Sequence, residues 1–161
     1  LAAENAVLNG DRGEVHAIVP HGGFTDPEYA SVGLTEAKAR QQVDCAVAVV
    51  PYSELDRAVI DDHPVGLCKL IVSRETHRIL GAHVVGGQAL EIIHLVAGGM
   101  LADMWVEQLA ELEIAYPTYT AAVGIAARRI VSELGAYPMS AQWRSLKKLP
   151  LSEWEHRESF S

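Results

Sequence analysis

The chain has 161 residues, 49% of them hydrophobic and 21% charged, with 13 Lys+Arg against 21 Asp+Glu and a formal net charge of −8. That composition supports one domain with a packed core and argues against disorder. The acidity argues against a nucleic-acid or anionic-membrane binder, and no apolar run reaches the roughly 18 residues a membrane span needs.

Leu1 to Leu8 is rich in helix formers but spans only about two turns, and Asn9-Gly10 stops it. It reads as the last helix of something preceding, and the opening Leu suggests a piece of a longer or processed chain. Val15 to Val19 is a strand candidate ended by Pro20, with His21-Gly22-Gly23 as loop. Tyr29 to Gly33 follows. Thr35 is suited to cap a helix running to about Gln42, with Glu36 near the positive end of its dipole. Ala46 to Val50 is a continuous apolar run ended by Pro51, the pattern of a buried strand. Ser53 to Pro64 is polar and reads as a mobile connection with a little extended structure. Leu67 to Val72 and Ile79 to Val85 are strands joined by a short polar loop, which requires antiparallel pairing.

Past Gly86-Gly87, apolar residues Ala89, Ile92, Ile93, Val96, Met100 and Leu101 recur at helical spacing across Gln88 to Met104. Gly98 and Gly99 lie inside that helix, each at a cost of about 1 kcal/mol relative to Ala. Close approach by another helix or a cofactor would explain them; a local kink is the alternative. A short helix over Val106 to Leu112 comes next. After the break at Tyr116-Pro117, Thr118 or Thr120 should cap a last helix through Ala121, Ala122, Ile125, Ala126 and Ile130, with Gly135 just past its end. The order predicts an α+β fold: four or five antiparallel strands with helices on one side. No Gly-x-Gly-x-x-Gly follows a strand, so no dinucleotide site is visible in the chain itself.

Cys45 and Cys68 stand far apart, without a Cys-x-x-Cys, and no signal-peptide pattern opens the chain. They read as small buried hydrophobes in a reducing compartment, hence a cytoplasmic location. Seven histidines invite a metal reading, but His16, His21, His83 and His94 show no ligand spacing. No metal is expected. His83 reads as a sheet residue whose hydrogen bonds are met, and His94 as an interface or core-edge residue. Asp61-Asp62-His63 looks ligand-like but has the composition of a solvated loop, and Glu111 and Glu113 that of an exposed helix face.

Several segments together carry a resemblance. Residues Phe24 to Glu36 (Phe-Thr-Asp-Pro-Glu-Tyr-Ala-Ser-Val-Gly-Leu-Thr-Glu) resemble the opening of the C-terminal interface domain of the pyridine nucleotide-disulfide oxidoreductases, a family that includes glutathione reductase, dihydrolipoamide dehydrogenase and mercuric reductase. Lys69-Leu70-Ile71-Val72, then Ile79 to Gly86, then Tyr116-Pro117-Thr118 agree in order and spacing. The resemblance covers about Glu14 to Leu134. It implies a homodimerising domain over 11–135 and a remnant of a preceding flavin domain at 1–10; the stretch 136–161, which carries Trp143 and Trp154, is an extension that departs from the family pattern. Those tryptophans would pack back on the body or a twin, or bind another protein. FAD and NAD(P) are implied for the parent, held by upstream domains, with no cofactor in this piece and no catalysis of its own.

The family's interface domain supplies a His-Pro-Thr-x-x-Glu segment to the partner's active site, where the His is acid/base for redox-active thiols and the Glu orients it. Here Tyr116 stands at the His position and Ala121 at the Glu position, with Pro117 and Thr118 between. An imidazole of pKa about 6.5 exchanges protons with a thiol at neutral pH; a phenol of pKa about 10 does so poorly. Loss of the Glu also removes a capping box. Mercuric reductases are similar in having Tyr at this position but carry a vicinal Cys pair near the C-terminus, whereas no Cys follows Cys68 here. The resemblance thus implies a parent that reduces a small acceptor or passes electrons to a quinone-like partner. Tyr116 has two readings, a hydrogen-bond donor near the partner's flavin or an interface aromatic, and the backbone at Tyr116 and Pro117 would contact that flavin. A stand-alone binding module derived from this domain is the alternative; the sequence upstream of Leu1 discriminates them.

Overall fold

The computed structural model describes residues 18–136. Its centre is a five-stranded antiparallel sheet in the order β1-β2-β5-β4-β3. The strands are β1 (His21–Gly23), β2 (Tyr29–Gly33), β3 (Cys45–Pro51), β4 (Leu67–Ser73) and β5 (Ile79–Val85). The helices are α1 (Glu36–Gln42), α2 (Asp56–Ile60), α3 (Ala89–Leu101), α4 (Val106–Glu111) and α5 (Ala121–Leu134), with a 3-10 turn at Tyr52–Glu54.

Side chains alternate across a strand, so cross-strand rows show which face is buried. Val50, Cys68, Val84 and Ala30 lie opposite one another across four strands, as do Ala48, Leu70, Ala82 and Val32. All eight are buried. α3 covers this face over β1, β2 and β5, while α5 covers it over β3 and β4 and packs against α4. The helices supply Ile92, Ile93, Val96, Val123, Ile130 and Val131 to the same core. On the other face, Ala39 of α1 closes a smaller cluster over Cys45 and Ile71. α1 is therefore a departure from a purely one-sided cover. The rest of that face is polar along one row, His21, Ser31, His83 and Lys69.

Most of the expected elements form where the sequence places them. β2, α1, β4 and β5 keep their expected positions, and Thr35 caps α1 by accepting a hydrogen bond from the Lys38 N–H at 3.3 Å. Gly135 ends α5 in the left-handed conformation at φ 66°. Four further expectations need correction. The first strand lies at His21–Gly23 and not at Val15–Val19, of which only Ile18 and Val19 are among the described residues. Pairing with β2 makes a strand of a Gly-Gly segment that has no apolar pattern of its own. The polar stretch after Pro51 holds the 3-10 turn and α2, because Leu55 and Ala58 are buried beneath it. Neither threonine hydroxyl caps α5: Thr118 Oγ1 turns back to donate to the Ala115 carbonyl at 2.8 Å, and backbone bonds from Ala122 and Val123 close the first turn. Finally, α3 stops at Leu101, and nothing lies within 4 Å of a Cβ built on Gly98. Among the described residues, then, no close neighbour explains that glycine.

The expectations for 1–10, and for Trp143 and Trp154, lie outside the described residues, as does His16. No described helix is long and apolar enough to cross a membrane.

Candidate functional site

The segment at Tyr116–Thr120 enters α5, and its first peptide, Tyr116–Pro117, is cis. The segment is held against α2 at two points. Tyr116 is 76% exposed, yet its hydroxyl donates to Asp56 Oδ2 at 2.8 Å. Tyr119 is buried, and its hydroxyl donates to Asp61 Oδ2 at 3.1 Å. Asp61 in turn accepts from Arg57 Nε at 2.7 Å. Behind Tyr119, the ring of Tyr52 lies 5.4 Å away, tilted by 41°, and the Tyr52 hydroxyl donates to the Gly87 carbonyl at 3.0 Å. A chain of side chains thus runs from Tyr119 into the core and ends on the loop that launches α3.

These contacts set the electrostatics. The hydrogen bond to the Asp56 carboxylate raises the Tyr116 pKa above the ordinary tyrosine value, because ionising the phenol would set two negative charges together. Burial, and then the bond to Asp61, does the same for Tyr119. Burial raises Tyr52 more strongly. The Arg57 hydrogen bond holds Asp61 below the usual carboxylate value. The sign of the pH dependence follows. A lowered folded-state pKa gives stability that is present above the unfolded value and lost as pH falls through the folded one. Asp61→Asn is therefore expected to flatten the fall in melting temperature below about pH 4. Melts of both proteins between about pH 5 and 2.5 check this; parallel curves would remove Asp61 from the acid response.

Three clefts surround the segment. One of about 170 Å³ is lined by Asp56, Tyr116, Pro117, Ala121 and Arg128. A second, of about 320 Å³, lies between Arg57, Gln88, Glu91, Thr118 and Tyr119. A third, of about 550 Å³, adjoins it through Asp61, Gln88 and Tyr119 and reaches Glu28 and His63. The structure therefore brings Tyr116, Pro117 and Ala121 together, and adds Asp56, Asp61 and Tyr119, which the sequence alone does not connect to them. Sequence separations of 60 and 58 residues give no local signal for these pairs.

The remaining candidates lie elsewhere. Cys45 and Cys68 are free and buried, and burial pushes the Cys68 thiol up to about 12. His21 bonds to Ser31 Oγ at 2.9 Å and His83 to the Leu34 carbonyl at 3.1 Å on the far sheet face, while His94 is exposed on α3. Asp62 and His63 are exposed, as are Glu111 and Glu113. Among the described residues, no three His, Cys, Asp or Glu side chains group as metal ligands would.

Comparison with known proteins supplies the context. The family model for the pyridine nucleotide-disulphide oxidoreductase dimerisation domain matches residues 19–127. Dihydrolipoyl dehydrogenase of Buchnera aphidicola is 32% identical over 111 residues, 68% of this chain and 24% of that protein. Among solved structures, LpdA from Mycobacterium tuberculosis superposes with a TM-score of 0.70 at 26% identity, over 79% of this chain and 28% of that one. The HOCl-induced flavoprotein disulfide reductase RclA from Escherichia coli gives 0.69 at 25%, over 78% and 30%. The chain thus spans under a third of the length of each. With the five-stranded antiparallel sheet and its helical cover, the match places this chain in the pyridine nucleotide-disulphide oxidoreductase family, as its dimerisation domain.

Proposed function

We propose that this chain is the pairing domain of a flavin-dependent, NAD(P)-linked oxidoreductase. In this reading 11–135 form the interface domain, 1–10 end a preceding flavin domain, and 136–161 extend it. Its first partner is a second copy of itself, and its second is the parent's upstream flavin and nicotinamide domains. A cytoplasmic location accords with two buried, free cysteines. FAD is supported by a structural relative named as a flavoprotein. Exposed Tyr116 and partly exposed Pro117, which line a cleft of only about 170 Å³, offer an edge contact to the partner's flavin ring and not a pocket for a whole dinucleotide. When bound, the flavin supplies the redox chemistry; this chain's residues place a hydroxyl beside it.

The observation that carries the reading is the pair of substitutions at the family's acid/base positions. Tyr116 keeps its proton at neutral pH, and Ala121 has no polar group with which to orient it. Such a pair cannot exchange protons with a dithiol as an imidazole does. The parent then reduces a small acceptor or a quinone-like partner. Steady-state assays of the full-length protein test this. Reduction of a quinone with little turnover of lipoamide or glutathione disulfide is expected; efficient dithiol–disulfide turnover would contradict it.

The self-association face is assigned to α3. His94, Gly98 and Leu101 form an exposed strip along it, Leu101 is 57% exposed, and the space over Gly98 is open. A glycine that weakens a helix, with no close neighbour among the described residues, is accounted for in this reading by close approach of a second copy.

A further inference from the structure

We propose that Asp56 is the positioning residue for Tyr116, supplying from α2 the carboxylate that position 121 lacks. The proposal rests on the placement of Tyr116 at the partner's flavin site given above. The family's sequence pattern puts the orienting acid five residues after the group it orients. Here that position is an alanine, and a methyl group accepts no hydrogen bond. The fold nevertheless delivers a carboxylate to the same cleft. Asp56 opens α2, 60 residues earlier in sequence, and its Oδ2 accepts from the Tyr116 hydroxyl at 2.8 Å, with Pro117 and Ala121 lining the same hollow.

The pairing is built into the packing. α2 is anchored by Leu55 and Ala58, both buried. At its far end Asp61 receives the Tyr119 hydroxyl, so two tyrosines three residues apart grip two aspartates at opposite ends of one short helix. The other charged groups lining the Asp56 cleft are engaged elsewhere. Arg57 bonds to Asp61, Glu54 pairs with Arg129, and Arg128 reaches the Ala110 carbonyl. Among the described residues no Lys, Arg or His stands within ion-pair distance of the Asp56 carboxylate, so the phenol does not compete with a cation for it.

The chemical consequence is specific. A phenol donating to a carboxylate has a fixed hydroxyl direction, keeps its proton, and retains lone pairs that accept from whatever lies opposite. The Tyr116–Asp56 pair therefore presents an oriented oxygen and one negative charge. It is a device for aiming a group, and at neutral pH it is not a base.

The test is a titration of the full chain labelled with ¹³Cζ-tyrosine, followed by NMR, with Tyr116→Phe used to assign the signal. The Tyr116 midpoint is expected above the ordinary tyrosine range. Asp56→Asn should shift it downward, and Asp56→Glu should restore part of the shift. Asp61→Asn, which removes the neighbouring aspartate, should move Tyr119 and leave Tyr116 in place. A Tyr116 midpoint that is the same in the native protein and in folded Asp56→Asn overturns the proposal, and so does a midpoint that follows Asp61 instead. Because no turnover is involved, this failure is distinct from failure of the underlying assignment. Tyr116→Phe in the full-length flavoprotein reads the latter: an unaltered flavin absorbance spectrum would refute placement of Tyr116 at the flavin.

Discussion

Gly86→Ala is expected to lower the melting temperature by about 10–20 °C and to leave the chain close to unfolding. Two costs act together. Gly86 sits at φ 137°, a conformation that L side chains rarely adopt. A Cβ there would also meet the ring of Tyr52 at 2.4 Å. That ring cannot step aside cheaply, since it is fully buried and its hydroxyl is tied to the Gly87 carbonyl. Backbone strain of roughly 1–3 kcal/mol and overpacking of roughly 1–3 kcal/mol sum to much of the 5–15 kcal/mol that holds a typical domain. Displacing Tyr52 also loosens Tyr119, so the Asp61 contact should weaken with it. Calorimetry of the two proteins at one concentration decides the matter; a loss of only a degree or two would mean that Tyr52 relaxes freely.

Gly98→Trp is expected to have its large effect on association and little on folding. Among the described residues nothing lies within 4 Å of a Cβ built at that position, so a larger side chain there starts into open space and has room in a single chain. Against a second copy packed on α3 it has none. An interfacial clash of roughly 1–3 kcal/mol weakens pairing by about ten- to a hundredfold. Gly98→Ala serves as the control, since a methyl group in a helix interior adds up to about 1 kcal/mol of helix stability. Light scattering across a dilution series reads both variants. Equal dimer affinity for native protein and Gly98→Trp would move the contact away from α3.

The larger elements are legible in the sequence because each carries a period. The run Ala46 to Val50 announces a strand because both faces of it are at least partly covered, one by α5 and the other by α1 near Cys45. The apolar repeat from Ala89 to Leu101 is long enough to define a helical face. α2 is hidden because five residues with one buried alanine cannot show a period, and its anchor Leu55 precedes it. β1 is hidden because its structure comes from its neighbour. At the site, Tyr116, Pro117 and Ala121 are legible as positions in a motif. Their carboxylate is not, because Asp56 meets Tyr116 only through the packing of α2 beside the segment that enters α5. Asp61 stands in a ligand-like trio, yet its partners are Arg57 and Tyr119, and among the described residues no metal group forms around it. Tertiary pairing between distant polar residues leaves no trace in local spacing.

Pairing of this polypeptide with itself is the claim on which the rest depends. Sedimentation equilibrium at tens of micromolar, a rough scale for a specific interface, measures this directly. A mass of twice 17.4 kDa, falling toward 17.4 kDa in Gly98→Trp, is the predicted result. Native protein that remains at 17.4 kDa throughout that range would contradict it.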